Sequence, residues 1–381
     1  MDTARRLLLR ARMSRTDLVV VYSPVGGGHK AAAFALAEAA RARGESVVLV
    51  DAFEHAPRAF GDVYVGTHLA GQAAAPDLYG RIYFGLNKRG GLEPLRLRFD
   101  AMMFAPLAEH VRSLAPRAVV ATHHLPLVVL GRERRKGRLG CPLVGVVTDY
   151  IAHAAWAERD VDAFAVPYGR ATEDMIGHGI DRGRLVATGI PVKAAFERIG
   201  RAPLVAPPRG TVRVLVTSGG FGVGPLARIV RSFADVPNAE LTVICGNAEG
   251  LVRRITRVAE EANVTANVLG FEKDMAGRVA EAHVVVGKGG GLTVTETMTA
   301  GRPMIVVGAI GGNEAVNESL VVDAGAGRSA EPDDVGLVVA RLRAEGRLGA
   351  MGDAARRLVP RHAAERIVDL ALGTNAIRHA A

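Results

Sequence analysis

Three glycine-rich segments stand where this sequence can do chemistry. Ser23-Pro24-Val25-Gly26-Gly27-Gly28-His29-Lys30 lies between an apolar run, Leu18 to Tyr22, and an alanine-rich helical stretch, Ala31 to Ala42. Ser218-Gly219-Gly220-Phe221-Gly222-Val223-Gly224 follows a second apolar run, Val212 to Thr217. Gly287-Lys288-Gly289-Gly290-Gly291-Leu292-Thr293-Val294-Thr295-Glu296 follows a third, His283 to Val286. Glycine between a strand and a helix lets a bound group come against bare backbone, and the first N–H groups of the helix attract negative charge there. The chemistry suited to such turns is the holding of phosphates. Glycines 289 to 291 lead into a helix that can hold a diphosphate without a metal, and Glu296, two turns in and acceptor-only when ionised, suits a ribose diol. Gly311-Gly312-Asn313-Glu314-Ala315-Val316-Asn317 then supplies amides and a carboxylate suited to sugar hydroxyls, while His29 falls at the mouth of the first helix.

Competing readings of these segments differ in kind. The first is not a Walker A loop, because no Gly-Lys-Ser/Thr follows it. It does fit Gly-x-Gly-x-x-Ala as Gly26, Gly28 and Ala31, and Asp51 closes the next strand where a ribose-binding acid belongs, so a nicotinamide-dependent oxidoreductase stays open. The second lacks the third small residue that dinucleotide packing needs, since Pro225 stands there. Neither of the glycine regions carries an Asp-x-Asp metal motif, and Asp160-Val161-Asp162, ahead of a strand in the first half, reads as structural.

The elements that must position these turns alternate as short β-rich runs and alanine- or leucine-rich helical stretches, the pattern of a doubly wound α/β sheet. Strands are expected at Leu18 to Tyr22, Ser46 to Val50, Ala118 to Ala121, Leu143 to Val147, Ala163 to Val166 and Arg184 to Ala187. A second set is expected at Val212 to Thr217, Leu241 to Cys245, Ala266 to Leu269, His283 to Val286 and Met304 to Val307. The expected organisation is a first domain over residues 1–200, a proline-rich hinge over 201–211, a second domain over 212–352, and a C-terminal helix over 353–381 that crosses back to the first. A chain of 381 residues supports two such domains. Its 49% hydrophobic and 23% charged composition excludes a disordered or fibrous protein. Cys141 and Cys245 sit in separate apolar runs and read as two buried small hydrophobes, with no disulfide.

The glycine segments and their neighbours resemble the GT-B glycosyltransferases of the monogalactosyldiacylglycerol synthase and processive diacylglycerol glucosyltransferase type, related to the peptidoglycan lipid II N-acetylglucosaminyltransferase. Gly26-Gly27-Gly28-His29-Lys30-Ala31 is similar to their N-terminal Gly-Gly-Gly-His loop, and Thr148-Asp149-Tyr150 with His153 and Trp156 to their Thr-Asp-aromatic, His, Trp signature. Gly189-Ile190-Pro191-Val192 with Phe196 resembles the segment before the hinge, and Gly287-Lys288 through Glu296 the nucleotide-binding motif. The family's Gly-Gln-Glu-x-x-Asn is here Gly312-Asn313-Glu314-Ala315-Val316-Asn317, with an amide one methylene short, which leaves the donor sugar open. The resemblance implies two Rossmann-like doubly wound domains facing each other across a cleft. It implies inverting transfer of a hexose from a UDP-sugar to a lipid hydroxyl, that of diacylglycerol, with no cofactor or metal. A UDP-N-acetylglucosamine transferase or an epimerase of the same fold is the alternative. The site carried over comprises His29 or Asp149 as base, with Gly27, Gly28, His153 and Trp156 on the acceptor side. Gly219, Gly220, Phe221, Lys288, Gly289, Gly290, Gly291, Thr293, Glu296, Asn313, Glu314 and Asn317 are carried over on the donor side. An imidazole, with a reference pKa near 6.5, is the group best matched to take a hydroxyl proton at neutral pH.

Charge points to where the acceptor is met. Of the net +9, residues 1 to 200 hold +7. Tyr79 to Phe104, Arg132 to Arg138 and Arg5 to Arg12 are cationic patches suited to an anionic membrane surface. With 5% aromatics and no zinc-finger, helix-turn-helix or ribonucleoprotein signature, nucleic acid is not an expected partner. With neither a signal-peptide core nor an 18-residue apolar run, the expected location is the cytoplasm, peripheral on the inner face of the plasma membrane.

Overall fold

A computed structural model describes residues 16–24, 27–57, 102–206, 210–220, 222, 224–248, 250–308 and 312–373. Within these the chain separates into two compact units. One comprises the residues up to Ala194 together with those from His362 onward, and the other runs from Ala195 to Arg361.

The sheet of the first unit has the order β2-β1-β3-β4-β5-β6, all parallel. Its strands are β1 Leu18–Tyr22, β2 Val47–Asp51, β3 Ala118–Ala121, β4 Leu143–Val146, β5 Ala163–Val166 and β6 Leu185–Ala187. Unbroken apolar runs such as LVVVY and AVVA are what a parallel sheet covered on both faces requires. Alternate residues divide between the faces. Val19, Val21, Val119 and Ala121 join one core, with α2 (Ala105–Ser113) and α3 (His124–Arg135). Leu18, Val20, Ala118 and Val120 join another, with Ala33, Leu36 and Ala40 of α1 (Gly28–Arg41). The helices α4 (Arg170–Gly177) and α5 (Ala194–Ile199) follow β5 and β6.

The second unit repeats the plan with the order β12-β11-β10-β7-β8-β9, again all parallel. Its strands are β7 Val212–Thr217, β8 Ala239–Ile244, β9 Ala266–Leu269, β10 Val284–Gly287, β11 Met304–Val306 and β12 Gly327–Ser329. The intervening helices are α6 Leu226–Arg231, α7 Leu251–Glu261, α8 Met275–Glu281, α9 Gly291–Thr299, α10 Asn313–Asp323 and α11 Val335–Ala344. Strand β12 reads GRS, with no apolar run to announce it, and the sequence reading missed it.

The single helix expected at the C-terminal end is two, and the break has a cause. Helix α12 (Leu348–Leu358) stops at Val359, which is extended ahead of Pro360. His362, in the left-handed region at φ 59°, then opens α13 (Ala363–Leu372). Helix α13 packs on α1 and on β3 and β4, burying Ile367 and Val368 in the first unit's core. Arg43, just beyond α1, fixes it by pairing with Asp369 at 2.5 Å and donating to the Glu365 carbonyl at 3.1 Å. One cysteine also differs from expectation. Cys245 is buried, but Cys141 is half-buried, on a turn where its carbonyl accepts from Arg134.

One buried histidine ties stability to pH. His283, 4% exposed, accepts the backbone N–H of Arg213 at Nδ1. Burial, with the charges of Arg213 and Arg302, pushes its pKa from 6.5 down to about 4. Between those values the unfolded chain binds the proton and the folded chain does not, so stability falls as pH drops through that window. Denaturant unfolding is expected to show wild type losing about 2 kcal/mol more between pH 7 and pH 5 than His283→Asn, which keeps an acceptor and cannot titrate. Parallel losses would clear His283.

Candidate functional site

Strand order reverses once in each sheet, between β1 and β3 in the first and between β7 and β10 in the second. The chain leaves the carboxyl ends of those strand pairs in opposite directions, which opens a crevice where ligands bind in doubly wound sheets. The first and third glycine segments and the second all emerge at these points, after β1, β10 and β7.

In the first unit the helix begins earlier than the sequence suggested, at Gly28, so His29 lies within the first turn of α1. Gly27 caps it at φ 59°, where a Cβ would meet nothing within 4 Å, so the backbone there is open to a ligand. His29 is half-buried and tied to the end of β3 by two reciprocal hydrogen bonds. Its Nδ1 lies 2.7 Å from the Thr122 carbonyl, and the Thr122 hydroxyl donates to the His29 carbonyl at 2.9 Å. A carbonyl only accepts, so Nδ1 carries the proton and the neutral ring keeps its lone pair on Nε2, the atom a general base uses. The Thr148 hydroxyl oxygen, 2.8 Å from Nδ1, shares that N–H.

Around this ring the structure brings together residues from three segments, at 122–124, 148 and 156. The His123 ring lies edge-on to His29 at 4.5 Å between centroids, and the His124 ring lies tilted beside His123 at 4.2 Å. Trp156, buried within the core, has its ring 6.5 Å from His29 and 6.0 Å from His124. Asp149 is half-buried next to Thr148, where its carboxylate accepts the N–H of Tyr150. His153 caps the short helical turn Ala154–Trp156, accepting from Ala155. The sequence reading missed Thr122, His123 and His124, although three polar residues closing a buried AVVA strand were the signal. Asp51 serves its own chain, capping residues Ala52–His55 through the Phe53 N–H. Gly26, Arg5 to Arg12 and nearly all of Tyr79 to Phe104 lie outside the described residues.

In the second unit, Gly219 and Gly220 are exposed, with open space where a Cβ would stand. Phe221 and Gly311 lie outside the described residues. Glycine at 246 is what lets the neighbouring turn approach, because a Cβ there would lie 2.6 Å from the Gly219 carbonyl oxygen. After β10, the loop 288–290 is gripped by α10. A Cβ on Gly289 would lie 2.6 Å from the Glu314 carbonyl oxygen, Asn317 donates to the Gly289 carbonyl at 2.7 Å, and Lys288 faces Glu314 at 3.7 Å. Asn317 is fully buried, so it supports the loop. Gly290 caps α9, whose first turn presents the N–H groups of Gly291, Leu292 and Thr293. Thr293 and Glu296 are half-buried on the same helix, and Asn313 opens α10.

Other expected features are spoken for elsewhere. Asp160 and Asp162 pair with Arg135 and Arg134 at 3.0 and 2.6 Å. Arg138 and Arg112 pair with the buried Glu133, so much of the cationic patch over 132–138 is neutralised within the unit. Among the described residues no cluster of three or more His, Cys, Asp or Glu is disposed around a metal position, and no helix is long and apolar enough to cross a membrane.

Residues 29–192 match the monogalactosyldiacylglycerol (MGDG) synthase family, and residues 213–341 match the glycosyltransferase family 28 C-terminal domain. The chain is 24% identical over 308 residues to a processive diacylglycerol beta-glucosyltransferase of Bacillus mycoides (strain KBAB4), covering 79% of this chain and 78% of that one. It is 22% identical over 366 residues to the protein of the same name from Bacillus cereus (strain AH187), covering 94% of each. Among solved structures, MurG of Acinetobacter baumannii superposes with a TM-score of 0.64 at 19% identity, over 94% of this chain and 99% of that one. The calicheamicin glycosyltransferase CalG4 superposes with a TM-score of 0.60 at 16% identity, over 95% and 100%. With two doubly wound units, each matched by its own glycosyltransferase domain, the chain belongs to the GT-B glycosyltransferases, joining a monogalactosyldiacylglycerol synthase domain to a family 28 C-terminal domain.

Proposed function

We propose that this protein moves a hexose from a UDP-sugar to the free hydroxyl of diacylglycerol, with inversion, at an anionic membrane surface on the cytoplasmic side. The observation that carries the chemistry is the 2.7 Å contact between His29 Nδ1 and the Thr122 carbonyl, which selects the tautomer. With Nδ1–H held on the Thr122 carbonyl, Nε2 is the ring atom able to take the acceptor's proton as its oxygen attacks the anomeric carbon. In the second unit the exposed backbone of Gly219 and Gly220 and the first turn of α9 hold the diphosphate, and Glu296 holds the ribose. Negative charge gathers on the departing UDP. The N–H groups of Gly291 and Leu292 and the ammonium of Lys288 stabilise it with no proton transfer to the leaving group. Asp149, with His153 and Trp156, shapes the acceptor side. The lipid acceptor rests on the names of the relatives and on the synthase domain over the half that carries His29.

Incubation with labelled UDP-glucose or UDP-galactose and diacylglycerol in phosphatidylglycerol-containing vesicles, followed by lipid extraction, is expected to put label in the lipid phase. Label left wholly in water would count against the lipid acceptor. His29→Ala is expected to lower kcat roughly 10²- to 10⁴-fold with UDP affinity unchanged by calorimetry. Undiminished turnover would pass the role of base to Asp149. Gly289→Ala puts a methyl against the Glu314 carbonyl and is expected to weaken UDP binding at least about tenfold while the His29 half-site stays intact. Wild-type UDP affinity in that variant would separate the loop from the donor site.

A further inference from the structure

A concentration of positive charge without carboxylate partners among the described residues lies in the second unit, on the helices that follow the Gly219–Gly220 turn. A surface groove of about 440 Å³ between α6 and α7 is lined by Arg231, Gly250, Arg253, Arg254, Arg257, Val258 and Glu261. None of its four arginines has a carboxylate partner among the described residues, whereas Arg228, one turn earlier on α6, is paired with Asp333 at 2.5 Å. Like charges at i,i+4 (Arg253 and Arg257) and i,i+3 (Arg254 and Arg257) repel on a helix, and no acidic residue stands in the first turn of α7 to offset them. All four arginines are exposed, while α7 is held to the sheet by Ile255, Val258 and Ala259 on its other face. Packing therefore does not require the cations; Arg257 has Glu260 and Glu261 at helical spacing, while Arg231, Arg253 and Arg254 are left facing the groove without such acids on their helices.

We propose that this groove is an anion site that takes a phosphate-bearing ligand. Guanidinium forks pair bidentately with phosphate oxygens, and four of them around one Glu261 match a multiply charged group better than a single carboxylate. The lining holds no aromatic ring and only Val258 as an apolar side chain, so the groove reads charge and not a nucleoside base. A free diphosphate and the headgroup of an anionic lipid share that chemistry.

The test uses the full-length protein with saturating UDP present, so that the glycine loops are occupied, and the variant Arg254→Ala/Arg257→Ala. Thermal unfolding is followed against added pyrophosphate at constant ionic strength, and flotation compares phosphatidylglycerol-containing with pure phosphatidylcholine vesicles. Without added phosphate the variant is expected to melt close to the wild-type temperature, because the relieved repulsion is offset by the loss of the Arg257 spacing to Glu260 and Glu261. Pyrophosphate should then raise the wild-type midpoint, with apparent affinity in the variant lower by about tenfold or more. A wild-type rise that the variant lacks identifies free phosphate as the ligand. Loss of flotation on the anionic vesicles alone in the variant identifies the lipid headgroup. Wild type and variant alike in both arms, or a variant that melts lower with no anion present, would overturn the proposal.

Discussion

The paired hydrogen bonds between His29 and Thr122 are the constraint on which the first half-site depends. They join the first turn of α1 to the end of β3 across the point where strand order reverses, a place where the two backbones otherwise diverge. One bond fixes the protonated nitrogen, and the other fixes the carbonyl of the same residue, so ring and backbone are held together. An imidazole on a free loop would sample both tautomers and many rotamers, and each misplaced state would lower the fraction able to accept a proton. The buried strands beneath, Val19 beside Val119 and Val21 beside Ala121, give that clamp a rigid base.

Much of this was legible from residue types, and the failures have physical reasons. Unbroken apolar runs with glycine after them marked the central strands of both sheets, because a strand covered on both faces leaves no alternation to misread. Edge strand β12 lacked that signature, since three residues at a sheet margin need bury little. Helix α1 was expected three residues late because glycine has low helix propensity, while here His29 in its first turn is held by Thr122 at the end of β3. The proline at 360 was visible and its consequence was not drawn: one amphipathic stretch became α12 on the second unit and α13 on the first. The partners of His29 were invisible for a different reason. Thr122 lies 93 residues away, and only the strand order brings it near.

Charge was the least legible property. Net charge by halves directed attention to residues 1 to 200, yet Arg134, Arg135 and Arg138 are matched with carboxylates of their own unit. A formal count cannot distinguish a cation answered by Asp162 from one with no answer, such as Arg254. The half with the smaller surplus carries the cluster because acids such as Asp333 and Glu272 are engaged by Arg228 and Arg278, which leaves Glu261 as the carboxylate in a groove of four arginines. What attracts an external anion is local imbalance at separations within the screening length, not the sum over a domain.

The same reasoning bears on the sugar. The segment Asn313 to Asn317 was read as a group of hydroxyl contacts, but its members divide once their partners are known. Asn317 is fully buried and spends its amide donor on the Gly289 carbonyl, and Glu314 faces Lys288. Both thereby set the position of the loop that precedes α9. In the reading proposed above, Asn313 at the very start of α10 is the member of the segment that meets the sugar. It is also where this chain departs from the glutamine of the resembling family. Shortening an amide by one methylene moves its hydrogen-bonding atoms by more than a bond can stretch, so the hydroxyl it reads must lie closer to α10 or be reached through a water. On that reading, sugar preference turns on Asn313, while Asn317 and Glu314 hold the loop that precedes α9.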